Sequence, residues 1–270
     1  MNEEAGAPPV VYTALFGRYE PLTEQPIALL SACRFICFTD DPSLSSATWE
    51  IVHRTPMVVG DPTRSARVLK ILGDPILEEY EVSLWIDNRI LLTEDPQTLV
   101  PRLLGSADIA LPIHSFRDTV ADEFEAVLQH GFDRPYIVRE ELSVFARHDP
   151  GILLARPYWT AILVRRNVPV IREAMLTWIC SVLRYSRRDQ LSINYSLAST
   201  GVVVHELDID NFRSDFHEWL ELPKRNSILR TRGYKYVWQD RARDYWLTSR
   251  LRRLMRRAQR MVHSGLGSRR

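Results

Sequence analysis

Charged residues gather where the apolar runs of this chain stop. The run ends read Phe16-Gly17-Arg18-Tyr19, Thr39-Asp40-Asp41, Asp61-Pro62-Thr63-Arg64 and Asp87-Asn88-Arg89. In an open α/β sheet a ligand lies beyond the carboxyl ends of the strands, so these are the positions where chemistry is expected. Asp87, inside LWIDNRILL, is the sharpest, because a carboxylate interrupts an apolar pattern that then resumes. A lone Asp in that place is most often a turn former, and it gains weight only from its neighbours. Arg64, Arg67 and Lys70 recur at three-residue spacing near the start of a helical pattern, where cations and backbone N–H groups can face an anion; a solvated basic face is an equally good reading. Asp189, in RRDQLS after Arg187 and Arg188, sits where a negative charge suits a helix N-terminus, either as a cap or as a proton acceptor.

No G-x-G-x-x-G and no G-x-x-x-x-G-K-[ST] occurs, which argues against a dinucleotide or P-loop site, so any phosphate would have to be held in another way. Cys33, Cys37 and Cys180 have neither the number nor the spacing of a disulfide framework or a zinc site and read as buried free thiols. Trp49, Trp85 and Trp178 lie in apolar runs and read as core, whereas Trp159, Trp219 and Trp238 could stack on a ligand ring, although no spacing marks them for it.

The elements that must position these residues follow from periodicity. Val10–Ala14, Arg34–Thr39, Trp49–Arg54, Glu81–Ile86 and Ile109–Leu111 read as strands, and Thr63–Leu72 and Pro96–Leu104 as helices between them. Further on, helices are expected at Thr119–His130, at Pro135–Arg147 and, after a strand at Ile162–Arg165, at Pro169–Tyr185 with Asn167 as its cap. Asp189 is expected to open a helix that stops at Gly201, before a last strand in VVVHEL.

With 270 residues, 45% of them hydrophobic and 26% charged, the chain has the balance of a globular protein with a sizeable core. No run approaches the ~18 apolar residues of a membrane span, and the acidic start MNEEAGAPP is unlike a secretory signal, so the expectation is a cytoplasmic protein. The formal net charge of +1 conceals an asymmetry, since residues 241–270 hold ten arginines and one acid, Asp244. Leu247, Leu251, Leu254, Ala258 and Met261 recur there at helical spacing, which predicts a basic amphipathic helix. It suits docking on the acidic body or contact with the inner face of a membrane, whereas a nucleic-acid partner is not expected without an aromatic platform.

The motifs YTALFGRYEPL, CFTDDP, DPTRSARVLKIL, SLWIDNRILLTEDP, HSFRD and YSRRDQLSINY, in this order, resemble the TOD and MUCI70-like glycosyltransferases over roughly residues 10–195. The resemblance implies a GT-A-like α/β fold with a mixed, mostly parallel sheet flanked by helices, spanning 8–225, and leaves 226–270 as a basic helical extension. It implies transfer of a sugar from a nucleotide-sugar, UDP-linked by expectation, to a glycan or lipid-linked acceptor, as in polysaccharide biosynthesis. Thr13, Ala14, Phe16, Gly17, Tyr19, Asp40 and Asp41 would hold the nucleoside, with Arg64 and Lys70 near the diphosphate. Asp87 would take the first place of the D-x-D element, followed by Asn88 and Arg89, and Asp189, Gln190 and Arg188 would form the catalytic element. His114 and Arg117 would face the donor or acceptor sugar, with Glu123 a further candidate for the same role.

Arg89 stands where the second D-x-D carboxylate belongs, which weakens the expected Mn²⁺ or Mg²⁺ site at Asp87 and suggests that arginine or lysine assists or replaces the ion. Inversion and retention are both open, since Asp189 can accept a proton or steady a developing cation. Two rival functions remain: a non-catalytic nucleotide-sugar-binding module and a nucleotidyltransferase, the latter short of the usual glycine-rich signature and paired metal-binding acids.

Overall fold

The computed structural model describes residues 7–221. The basic helix expected beyond residue 240, Trp238 and the boundary at 225 lie outside the described residues. In chain order the elements are β1 (Val10–Leu15), β2 (Phe35–Thr39), β3 (Glu50–His53), α1 (Pro62–Leu72), β4 (Val82–Ile86), β5 (Ile90–Leu92), α2 (Pro96–Leu104) and β6 (Ile109–Pro112). They continue with α3 (Val120–His130), α4 (Pro135–His148), β7 (Ile162–Arg166), α5 (Pro169–Arg184), α6 (Ile193–Ala198), β8 (Val204–Leu207) and β9 (His217–Trp219).

Seven strands form one sheet in the order β3-β2-β1-β4-β7-β6-β8, and only β7 runs against its neighbours. It is therefore the mixed, mostly parallel sheet flanked by helices that the family resemblance implies, built on the α/β alternation of the sequence pattern. One consequence decides the rest: the carboxyl ends of β1, β2, β4 and β6, with the polar residues that follow each, share one edge. β1 is buried along its whole length because it lies inside the sheet with a layer on either face. A separate antiparallel pair, β5 with β9, ties the segment after Asp87 to residues 217–219.

α1 begins where Asp61 accepts the Arg64 N–H and Pro62 supplies a pre-set first turn, and Gly73 ends it at φ 81°. Its apolar face, Val68, Leu69 and Ile71, joins Ile171, Ala174, Met175 and Trp178 of α5 in one core cluster. Truncating Trp178, which is fully buried, would cost about 3–5 kcal/mol. α3 opens with a capping box in which Thr119 and Asp122 each bond the other's backbone N–H.

Four local expectations are corrected. Asn167 does not cap α5; its side chain donates to Glu78 O and accepts from Arg172, fastening the loop instead. Asp189 opens only a 3-10 turn, Asp189–Leu191, before the short α6, because its carboxylate is engaged by side chains rather than by the turn's own N–H groups. Cys180 is exposed on the outer side of α5, while Cys33 and Cys37 are buried. Trp159 is buried, and Trp219 lies against it with Arg89 4.5 Å over its ring, so neither offers a free face for a sugar. Among the described residues no helix is long and apolar enough to cross a membrane.

Candidate active site

Asp87 follows β4, and its Oδ1 accepts the Trp85 indole N–H at 2.8 Å. Arg67 and Lys70, three residues apart on α1 and so on one face, reach it from the neighbouring layer at 3.8 and 3.5 Å. The same two cations hold Asp189, with Lys70 Nζ 2.5 Å from Oδ2 and Arg67 Nε 3.1 Å from Oδ1. Thr160 Oγ1 donates to Asp189 Oδ2 at 3.0 Å, and the Trp178 indole N–H fixes the Asp189 carbonyl at 2.8 Å. Two carboxylates from two separate segments are thus bridged by two cations from a third.

Lys70 and Asp189 are sealed from solvent. Burial pushes the Asp189 carboxyl up, but Arg67 and Lys70 outweigh it and hold it well below the usual carboxylate range. Burial pulls the Lys70 ammonium down, against the opposing pull of Asp189 and Asp87. Arg67 is disfavoured by burial, yet the carboxylates of Asp189 and Asp87 raise it overall. The group is a compact charge arrangement in which Asp189 is ionised.

A second group stands beside it. His114 and Arg117 come from the loop after β6 and Glu123 from α3, with Glu123 Oε2 3.4 Å from Arg117 Nε and 3.8 Å from His114 Nε2. Burial raises the Glu123 carboxyl although Arg188 and Arg117 work the other way, and the negative charge of Asp189 adds to the rise. Burial, assisted by Arg117 and Arg188, lowers His114 to about 4. The Phe116 N–H donates to His114 Nδ1, which leaves the proton of the neutral ring on Nε2, toward Glu123. Arg188 acts on both groups; its guanidinium lies 5.0 Å over the Phe132 ring and 3.5 Å from Gln190 Oε1.

The description "TOD1/MUCI70, glycosyltransferase-like domain" matches residues 9–214, which take in both charge groups and the whole seven-stranded sheet. The chain belongs to this family. It is also 29% identical over 154 residues, 53% of its own length, to a probable hexosyltransferase, MUCI70, of Arabidopsis thaliana. That match spans 26% of the curated relative's length. Among solved structures it is similar to the apo form of a bifunctional glycosyltransferase, WbbM, at 14% identity and a TM-score of 0.41, covering 77% of this chain and 40% of the other.

As a TOD1/MUCI70-type chain it distributes the other expected site residues unevenly. Thr13 and Ala14 lie within β1, where Thr13 Oγ1 is buried with no hydrogen-bond partner among the described residues. Phe16 is core. Gly17 N–H donates to Asp40 Oδ1, which fixes the β1 and β2 ends together. Asp41 closes its own turn on Ser43 and pairs with Arg18, whose φ of 52° marks a tight corner. Tyr19 packs beside this edge. Asn88 laces the loop through Thr23, Glu20 and Pro21.

Two expected phosphate contacts are turned elsewhere. Arg64 bonds Asp61 and the carbonyls of Val182 and Tyr185, so it clamps the end of α5 rather than joining Asp87. Arg89 donates to Leu220 O and covers Trp219. Arg67 takes the place beside Lys70 that the expectation gave to Arg64. Its signal was the three-residue spacing to Lys70, whereas nothing in the sequence around Thr160 marked it out. A cleft of about 270 Å³ opens at the other end of the sheet beside Gly73, Tyr80 and Arg165, and it contains none of these site residues.

Proposed function

We propose that this chain is a hexosyl-type glycosyltransferase that takes its sugar from a nucleotide-sugar and delivers it to a glycan hydroxyl. The observation that supports this most is the joint hold of Arg67 and Lys70 on Asp87 and Asp189 at the carboxyl edge of the sheet. A diphosphate arriving there would meet the partly exposed Arg67 in place of Asp87, while Lys70, closed off from solvent, stays paired with Asp189 and adds its charge from behind. Arg188 adds a third positive charge at the same place.

Within this reading the strongly depressed Asp189 is a poor proton acceptor and acts as a fixed negative charge that orients the sugar and the two cations. Glu123, raised by burial, is better matched to take the proton of the attacking hydroxyl as the new C–O bond forms and the nucleoside diphosphate departs. His114, neutral and donating from Nε2, and Arg117 keep Glu123 in place.

A divalent ion would need several oxygen ligands, but among the described residues no group of three His, Cys, Asp or Glu side chains could hold one. Asp87 and Asp189 already receive Trp85, Thr160, Lys70 and Arg67. The residues present do not fit a protein-held metal, and the proposed charge compensation runs through the cations of the chain. The alternative of a binding module without turnover is favoured by one feature only, Arg89 in the second D-x-D place.

Incubation with UDP- and GDP-sugars, following nucleoside diphosphate release with and without Mn²⁺, tests the proposal. Release with at least one donor is expected; tight nucleotide-sugar binding with no release under any condition would establish the binding module instead.

A further inference from the structure

Phe116 and Phe212 are exposed over 52% and 55% of their surface, yet their rings sit 5.1 Å apart, tilted by 44°. They come from loops nearly a hundred residues apart, and the backbone beneath them is locked. Ser115 N–H donates to Asn211 Oδ1, Asn211 N–H donates to Ser115 Oγ, and Asn211 Nδ2 donates to Ile113 O. Asn211 is buried, so this clasp is protected from water. The Phe116 N–H is held by His114 Nδ1 and the Phe212 carbonyl by the Trp219 N–H, and the His114 ring meets Phe116 edge-on at 6.1 Å. Folding accounts for such a fixed pair only in part, because each residue still leaves about half of its surface in water.

We propose that Phe116 and Phe212 form a stacking platform for pyranose rings of the acceptor glycan. This rests on the glycosyl-transfer reading of the adjacent site and names where its acceptor lies. A pyranose offers an apolar C–H face and a hydroxyl rim, and an aromatic face matches the first as polar neighbours match the second. Here the rim holds both signs of charge, Arg117 on one loop and Asp210 with Arg213 on the other. The platform also runs directly through His114 to Glu123, so a sugar resting on it leads toward the group proposed to accept the proton. Because the rings are fixed in advance, little ordering entropy opposes binding.

Saturation-transfer NMR on the full chain, with cellotetraose, maltotetraose and chitotetraose as probes, tests the platform without requiring turnover. Transfer to the ring C–H protons of at least one probe is expected, weakened about fivefold to tenfold when either ring loses its aromatic face in Phe116→Leu or Phe212→Leu. The double variant Phe116→Trp/Phe212→Trp is expected to keep it. No transfer from the wild-type chain to any probe, or undiminished transfer in folded Leu variants, would overturn the proposal. So would a wild-type dimer in sedimentation that the Leu variants dissolve, since the rings would then serve contact between copies. Donor turnover is scored separately: its absence sinks the transfer reading, while probe binding still decides the platform.

Discussion

Lys70 Nζ lies 2.5 Å from Asp189 Oδ2, with both side chains closed off from solvent. Removing one partner of such a pair leaves a buried charge bare, which costs about 3–5 kcal/mol, whereas removing both need not. Asp87, 3.5 Å from the same ammonium, softens the loss. Asp189→Asn is therefore expected to lower the melting temperature by about 6–12 °C, and Asp189→Asn/Lys70→Met to recover a large part of it. Calorimetry on the two variants checks this; equal destabilisation of both would show that packing, not charge, holds the pair. The same Asp189→Asn change is expected to reduce donor turnover by about a hundredfold or more.

Arg64 and Arg67 separate structure from ligand binding. Arg64 spends its guanidinium on Asp61 and two α5 carbonyls, so Arg64→Ala is expected to cost stability, about 1–3 kcal/mol, with donor affinity changed less than twofold or so. Arg67→Lys is the converse case, since lysine cannot span Asp87 and Asp189 with two nitrogens as Arg67 does. It is expected to weaken nucleotide-sugar binding by about tenfold with a modest change in melting temperature. Titration calorimetry with UDP distinguishes them, and the opposite ranking would return Arg64 to the phosphate site.

The contrast between these arginines shows where sequence stops being informative. That polar residues ending apolar runs would meet at one sheet edge follows from strand direction alone, and Asp87 was legible in that way, whereas Lys70 was legible only as part of a basic helical triplet and Asp189 only through the RRDQLS element of the family resemblance. Which member of a 64-67-70 triplet turns inward depends on where α5 ends, and no local pattern carries that information. Thr160 was invisible for the same reason, and the three-residue strands β5 and β9 are too short to show a period of two. The pairing of Phe116 with Phe212 joins loops whose proximity only the topology creates.

Metal dependence is the next expectation. With Arg67, Lys70 and Arg188 surrounding the two aspartates, donor turnover is expected to persist within about twofold in excess EDTA, by analogy with charge-assisted phosphate binding elsewhere. A loss that Mn²⁺ restores would show that Asp87 recruits an ion together with the donor, and the division of labour proposed above would have to change.

Glu141 supplies the last test, because it lies behind the segment that carries Arg188 and Asp189. Its Oε2 accepts the Ser186 N–H at 3.3 Å, and Asp133 accepts from Ser186 Oγ and the Arg187 N–H. Burial pushes the Glu141 carboxyl well above its ordinary 4.5; the Ser186 N–H opposes this, Asp133 adds to it, and Arg64 works against it more weakly. A carboxyl raised by folding binds its proton more tightly in the native state. Its contribution to stability is therefore complete below 4.5 and declines as the pH climbs from there through the raised native value. Glutamine keeps a neutral side chain at every pH, so Glu141→Gln is expected to melt progressively higher than wild type as the pH is taken from about 5 to 8, by about 2–4 °C for each kcal/mol recovered. His114 titrates in the opposite sense, losing stability from 6.5 down to about 4, but it is common to both proteins and cancels in the difference. A difference in melting temperature that stays constant from acid to mild alkali would mean that Glu141 is ionised in the folded chain.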